Sequence, residues 1–137
     1  MSDQLYHDAL MDEARRATGH GRLDPADASA TIDNPLCGDR VTVQLRLKDG
    51  RIAALAHEVR GCVLCKASAS MLAERAIGLD REGVAKSAGA MEGMLRGDAT
   101  AVEPGFEPFR PVGPYKSRHD CVLLPFRAIE RALDGKR

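Results

Sequence analysis

Residues 40–59 predict a β-hairpin, which limits the chain to folds that contain an antiparallel sheet. The first half alternates apolar and polar residues, the period-two pattern of a strand with one buried face. Asp49-Gly50 follows, a dipeptide typical of a two-residue type I′ turn, and a second strand should run over residues 51–59. The alternation slips after Ile52, so we expect a β-bulge there. The apolar residues of the first strand are Val41, Val43, Leu45 and Leu47.

Helical spacing of apolar residues predicts four helices in the rest of the chain. Residues 5–16 suit a short amphipathic helix, and a second helix should begin after Cys62 and close at Gly78. Asp80 is a candidate N-cap for a third helix that reaches about Arg96. The inward-facing residues should be Ala69, Leu72, Ala73, Ala76 and Ile77 in the second helix, Val84, Ala88, Met91 and Leu95 in the third, and Phe126, Ile129 and Leu133 in the last.

Proline sets the limits of two further segments. Residues 28–33 predict a first strand, which Asn34-Pro35 ends because proline has no N–H to donate to a strand ladder. Four of the seven prolines lie between Glu103 and Tyr115. That density predicts a stiff extended loop rather than a helix or a central strand.

Length and charge restrict the class of protein. We expect residues 1–137 to form one domain around a single core. The 20 basic and 20 acidic residues balance, which leaves no electrostatic footprint for nucleic acid or for an anionic membrane. No run approaches the roughly 20 apolar residues of a membrane span, and the first residues are too polar for a secretory signal. We therefore expect a cytoplasmic protein that binds neither nucleic acid nor membrane.

Three of the four cysteines lie at predicted junctions between elements. Cys62 falls between a strand and a helix, Cys37 falls before Gly38-Asp39 in the loop ahead of the hairpin, and Cys121 falls just ahead of the last helix. Helix N-termini offer free N–H groups and the positive end of the helix dipole, which favour a negatively charged sulfur. In a reducing compartment such cysteines serve as ligands or nucleophiles more often than as disulfides. The three junctions can therefore meet at one polar site.

Two interpretations of these cysteines stay open at this point. Three thiolates and the Asp39 carboxylate would repel one another unless a divalent cation such as zinc or iron lay between them, where they would be good tetrahedral ligands. Taken singly, each cysteine could instead be a small buried hydrophobe. Cys62 and Cys65 have the spacing of a redox or metal motif, yet the helical stripe turns Cys65 towards the core. His57 is expected to be a core residue of its strand, and His119 is an alternative ligand.

Three ordered motifs surround the cysteines. They are Asn34-Pro35-x-Cys37-Gly38-Asp39, then Gly61-Cys62 with Ala67-Ser68-Ala69-Ser70-Met71 after it, then Cys121-x-x-Leu124-Pro125 before the final helix. From about Leu5 to Leu133 the chain resembles the iron–sulfur cluster assembly scaffolds of the NifU/IscU type. The long segment between the Ser-Ala-Ser helix and Cys121 is similar to the insertion of the SufU branch.

The resemblance implies a fold and a site. The implied fold is α+β, a small three-stranded antiparallel sheet packed on one face by helices, with a C-terminal helix, which agrees with the hairpin prediction. Cys37, Asp39, Cys62 and Cys121 match the family's site, which binds zinc in SufU-type members or carries a nascent iron–sulfur cluster in scaffolds. Family members receive persulfide sulfur from a cysteine desulfurase, so the implied partners are a desulfurase and downstream cluster acceptor proteins.

The chain departs from the family pattern at two places. Scaffolds of the IscU type have histidine immediately before the last cysteine, whereas this chain has Asp120 there and His119 one residue earlier. Cys65 stands where the SufU branch usually has serine. These departures leave open whether Cys65, His119 or Asp120 joins the ligand set.

The functional prediction is a metal-binding or cluster-binding assembly protein that accepts sulfur, rather than a stand-alone enzyme. Cys37 is the predicted sulfur acceptor because a loop flanked by Pro35 and Gly38 can reorient more than a helix end, and Cys121 is the alternative acceptor. Two other functions stay open. One is a thiol oxidoreductase that uses Cys62 and Cys65, and the other is a module in which zinc only stabilises the fold.

Overall fold

The computed structural model describes residues 3–36, 38–98 and 103–135, with side chains from residue 6 onward. This part of the chain contains helices on one side of a small antiparallel sheet. None of its helices has the length and apolar character needed to cross a membrane. In chain order the elements are α1 Asp3–Arg16, β1 Ala28–Asn34, β2 Asp39–Lys48, β3 Arg51–Arg60, α2 Val63–Arg75, α3 Arg81–Leu95, two 3-10 helices at Glu107–Val112 and Lys116–Arg118, and α4 His119–Asp134.

The sheet has the order β1-β2-β3 with both pairs antiparallel, as predicted. Asp49 and Gly50 both have positive φ angles, 54° and 77°, which is what the predicted two-residue turn requires. The predicted bulge is also present, because the register shifts between Arg46 and Leu47 of β2. The extra residue in β3 is Ala53, and it brings the apolar residues on both sides of the slip to the same face of the sheet.

Helices cover the inner face of this sheet. α4 packs against β1 and β2, α2 packs against β3 and α4, and α1 and α3 pack against α2 and α4 respectively. The predicted inward residues of α2, α3 and α4 are buried except Ile77, which is 48% exposed. The prediction for Ile77 is wrong because α2 ends at Arg75 and its C-cap is Ala76, so the helical periodicity no longer applies.

A chain segment crosses the outer face of the sheet. Over residues 21–27 the Leu23 N–H donates to the Gln44 side-chain oxygen at 2.8 Å. Farther along, the Arg46 guanidinium donates to the Pro25 carbonyl at 2.9 Å. This segment lies over the part of β2 nearer the hairpin turn, so the start of β2 stays open to solvent on that face.

The proline-rich segment differs from its prediction. The proline density predicts an extended loop over residues 103–115, but Glu107–Val112 forms a 3-10 helix that includes Pro111. Proline fits a 3-10 turn because its fixed φ angle is close to the one required. Pro108, at the start of this helix, also occupies a position whose N–H would have no intrahelical partner. Phe106 and Phe109 are 0% and 1% exposed, so the segment contributes two aromatic rings to the core.

Candidate metal centre

Asp39, Cys62 and Cys121 lie together at one end of the sheet. Asp39 is the first residue of β2, Cys62 is the N-cap of α2, and Cys121 lies in the first turn of α4. One donor atom from each, a carboxylate oxygen or a sulfur, lies within 4.8 Å of the other two. We call these three residues the donor group. The predicted meeting of distant element ends is therefore confirmed for them, with Cys121 inside the helix rather than ahead of it.

The antiparallel register explains why Asp39 meets Cys62. Arg40 pairs with Arg60, so the residue that begins β2 lies beside the residues that follow β3. The Cys62 N–H donates to Oδ1 of Asp39 at 3.1 Å, and the Cys62 thiol lies 3.7 Å from Oδ2. Gly61 makes this approach possible, because a Cβ at this position would lie 2.7 Å from Cγ of Asp39. Sequence reasoning included Gly61 in a motif but missed this steric role.

Two residues of the donor group are buried, and the third is partly exposed to solvent. Asp39 is 2% exposed and Cys121 is 0% exposed, whereas Cys62 is half-buried. The guanidinium next in sequence, Arg40, makes its ion pair with Asp33 at 2.6 Å rather than with Asp39. A buried carboxylate needs compensation for the water it has lost, and here the Cys62 N–H at the start of α2 supplies part of it. A cation between the three side chains would supply the rest.

The donor set fits zinc or iron. Zinc binds thiolate sulfur at about 2.3 Å and carboxylate oxygen at about 2.0–2.2 Å in a tetrahedral arrangement. Two ligands of one zinc ion are therefore about 3.5–4 Å apart, so donors within 4.8 Å of one another need only small side-chain movements. The same two sulfurs also suit an iron–sulfur cluster.

The predicted fourth ligand and sulfur acceptor, Cys37, lies outside the described residues. Of the residues before it, Asn34 accepts the Leu36 N–H with its side-chain oxygen at 3.2 Å and the Gly38 N–H with its carbonyl at 2.8 Å. Asn34 also pairs with Asp39 in the β1–β2 register. Its buried Nδ2 has no hydrogen-bond partner among the described residues. Among the described residues, the end of the sheet that holds the donor group therefore also has a buried N–H donor without a partner, and metal-bound sulfur is an acceptor to which such groups donate.

The other candidates lie outside the donor group. Cys65 is 0% exposed and belongs to the hydrophobic core, as the helical stripe predicts. His119 donates its Nε2–H to the Gly113 carbonyl at 2.8 Å. Asp120 is exposed in the first turn of α4 and does not belong to the donor group.

His57 is a buried strand residue, as predicted, but its ring is only half satisfied. It is 4% exposed, and its Nε2–H donates to the Thr18 carbonyl at 2.7 Å. The second ring nitrogen, Nδ1, is buried without a partner among the described residues. Burial lowers the pKa of His57 from the usual value of 6.5, and the neighbouring His20 adds to that lowering, against the hydrogen bond to Thr18. The neutral ring is therefore favoured in the folded chain.

Residues 5–97 match the family model of the NifU-like N-terminal domain. Over 131 residues the chain is 30% identical to the iron–sulfur cluster assembly scaffold protein IscU of Thermotoga maritima, a match that covers 94% of this chain and 92% of that one. It is 26% identical over 134 residues to the zinc-dependent sulfurtransferase SufU of Bacillus subtilis, covering 96% and 90% of the two chains. Cys121 lies beyond the residues matched by the family model but within the length that these relatives cover.

Solved structures show the same architecture. The crystal structure of a nitrogen-fixing NifU-like protein, N-terminal part, from Brucella abortus superposes with a TM-score of 0.85 at 35% identity, and the match covers 98% of each chain. The three-stranded sheet, the helices on its inner face and the C-terminal helix are thus those of the NifU-like N-terminal fold.

Proposed function

Because this chain belongs to the NifU-like N-terminal domain family of iron–sulfur cluster assembly proteins, we propose that it holds zinc or a nascent cluster and accepts sulfur there from a cysteine desulfurase. The proposed ligands are Cys37, Asp39, Cys62 and Cys121. The observation that carries the proposal is the position of the last three, whose donor atoms lie within 4.8 Å of one another although they come from three separate elements. Apolar core packing gives no reason to bury a carboxylate beside two thiols, because a buried charge is unfavourable unless it is paired.

Sulfur acceptance requires a reactive thiolate at neutral pH. A cysteine bound to a cation is deprotonated, because metal binding displaces the thiol proton. In the proposed step the acceptor thiolate attacks the outer sulfur of the desulfurase persulfide. A new S–S bond forms on the acceptor, the original S–S bond breaks, and the desulfurase cysteine leaves as a thiolate. The step needs no external oxidant or reductant.

Cys37 is the proposed acceptor. Cys62 and Cys121 lie at the starts of α2 and α4, where helix packing fixes their backbones. Cys37 instead lies between Pro35 and Gly38, outside any helix predicted from the sequence. Cys121 is the alternative acceptor. Downstream cluster acceptor proteins are further proposed partners, and we propose a cytoplasmic location and a single domain over residues 1–137.

Metal analysis after anaerobic purification tests the ligand set. We expect the parent chain to carry close to one equivalent of zinc or a coloured iron–sulfur cluster, and Asp39→Ala, Cys62→Ser and Cys121→Ser to lose most of it. Cys65→Ala is the matched control, because Cys65 is a cysteine of α2 outside the donor group. Metal-free parent protein that exchanges disulfides through Cys62 and Cys65 would instead support the oxidoreductase.

Persulfide transfer tests the acceptor. The chain is mixed with a cysteine desulfurase and cysteine, and protein-bound persulfide is measured by mass spectrometry. We expect Cys37→Ser to lose the label while Cys65→Ala keeps it. Undiminished labelling of Cys37→Ser together with loss of label in Cys121→Ser would move the acceptor role to Cys121. Retention of the label in both variants would reject the proposed route.

A further inference from the structure

The middle of α2 carries two serines that are 0% exposed, Ser68 and Ser70. A serine inside a helix commonly bonds to the carbonyl one turn earlier in its own helix. Both of these reach other elements instead. The Ser68 hydroxyl donates to the Val122 carbonyl at 2.6 Å, and the Ser70 hydroxyl donates to the Glu13 carboxylate at 2.6 Å. The two serines are therefore equally inaccessible to solvent and their hydrogen bonds have the same length, but Ser68 bonds to α4 and Ser70 bonds to α1.

The Ser68 bond joins the two helices that carry the sulfur donors. Cys62 is the N-cap of α2, and Cys121 is the residue before Val122 in α4. The bond is fully buried, so water does not compete for either partner. It therefore fixes the position of the first turn of α4 relative to α2, and with it the position of one sulfur relative to the other.

The start of α4 depends on such outside support more than an ordinary helix does. Pro125 lies inside α4 and has no N–H to donate to the carbonyl four residues before it. The first turns of this helix thus have one α-helical backbone hydrogen bond fewer. The α4 N-cap, Arg118, makes no side-chain capping bond either. The buried hydroxyl of Ser68 in α2 donates to the Val122 carbonyl in this part of the helix and so supports it.

We infer that Ser68 is a positioning residue of the metal centre, an inference that rests on the proposed metal-binding function. Metal ligation is sensitive to donor positions, because zinc–sulfur distances are close to 2.3 Å and tetrahedral angles are fixed by four ligands at once. Residues that orient the ligands without touching the metal commonly change metal affinity about 10–100-fold when they are replaced. Ser68 is expected to act in this way through the Val122 carbonyl.

The experiment compares two serine variants of the whole chain. Zinc affinity is measured by competition with a chromophoric chelator, and Co²⁺ absorption reports the coordination geometry. Ser68→Ala should bind zinc about 10-fold or more weakly than the parent and should alter the Co²⁺ bands. Ser70→Ala removes the hydroxyl of the other serine, which donates to Glu13 of α1 and accepts the Thr18 N–H at 2.9 Å, and neither partner belongs to the donor group. It should lower thermal stability while leaving zinc affinity and the Co²⁺ spectrum unchanged.

A second pair of variants separates the hydroxyl from the packing. Thr and Val have nearly the same shape, so Ser68→Thr and Ser68→Val differ mainly in the donor. We expect Thr to retain tighter zinc binding than Val, and this comparison also serves if Ser68→Ala does not fold. Equal zinc affinities for the Thr and Val variants, or equal weakening by Ser68→Ala and Ser70→Ala, would overturn the inference while leaving the proposed function intact. A parent chain that binds no zinc, no Co²⁺ and no iron–sulfur cluster would overturn both.

Discussion

Gly61 shows how a single missing side chain shapes the metal centre. The Asp39 carboxylate lies against the Gly61 backbone, where any other residue would place a Cβ in contact with Oδ1. The same carboxylate accepts the N–H of Cys62. Gly61 therefore leaves room for the Asp39 carboxylate. Glycine is needed here because a Cβ would clash with that carboxylate, not because of the backbone angles.

We predict that Gly61→Ala displaces Asp39 and weakens zinc binding about 10-fold or more, by analogy with other residues that orient metal ligands. The measurement is zinc competition with the purified chain. Gly89→Ala is the control, since a Cβ there meets nothing within 4 Å, and it should raise helix stability by up to about 1 kcal/mol. Unchanged zinc affinity in Gly61→Ala would show that the carboxylate does not bind the metal or can move freely.

His57 gives the folded chain a dependence on pH. Because burial lowers its pKa below 6.5, the unfolded chain takes up a proton at a higher pH than the folded chain does. The contribution of His57 to stability is fully present above about pH 6.5 and is lost as the pH falls through the lower pKa of the folded state. We predict that the free energy of unfolding decreases from about pH 7 to about pH 5.5 and that His57→Gln flattens this decrease. Denaturant titrations at both pH values provide the measurement, and an unaltered pH dependence in the variant would contradict it.

At the scale of elements, most of the sheet and the helices can be predicted from the sequence, but the 3-10 helix within residues 103–115 cannot. The alternation of residues 40–48, the Asp49-Gly50 turn and the slip after Ile52 are local signals, so β2, β3 and the bulge follow from them. Proline density in residues 103–115 excludes a long helix but not a short 3-10 helix, and only packing of its phenylalanines against the core decides between the two.

The candidate site, too, can be predicted from the sequence only in part. The position of Cys62 between a strand and a helix is a local signal, and so is that of Asp39 at the start of β2. The closeness of Cys121 to them depends on how α4 packs on the sheet, which no local pattern encodes. The roles of Ser68 and Gly61 likewise arise from contacts between residues far apart in the chain.

The cap of α3 provides a stability test remote from the metal centre. The Asp80 carboxylate accepts the Gly83 N–H at 2.8 Å. The adjoining Leu79 carbonyl accepts the N–H of Ile52, which lies in β3 beside the hairpin turn. This turn is at the opposite end of the hairpin from Asp39. We predict that Asp80→Ala lowers the free energy of unfolding by about 0.5–2 kcal/mol, the usual cost of a lost N-cap. Zinc affinity should stay at the parent value, and a loss of affinity would show that the two ends of the sheet are coupled.

At the scale of the whole molecule, the core should survive loss of the metal. The buried side chains include Phe106, Phe109 and Phe126 and extend through the sheet and helices, so the hydrophobic effect acts without a cation. This differs from small zinc domains, which unfold when the metal is removed.

We predict that a chelator lowers the free energy of unfolding but leaves the chain folded. Zinc at about 100 times its dissociation constant stabilises a protein by about 2.7 kcal/mol, so a loss of a few kcal/mol is expected. Far-ultraviolet circular dichroism and denaturant titration with and without chelator provide the measurement, with Cys62→Ser as a variant that should not respond. Complete unfolding of the parent by the chelator would favour a module in which zinc only stabilises the fold.

The donor group draws on the start of β2, the start of α2 and the first turn of α4, and Cys121 is the last of the three to be synthesised. A nascent chain therefore has only part of the coordination shell until α4 has emerged from the ribosome and docked on the sheet. The three-residue donor group is therefore complete only after this docking.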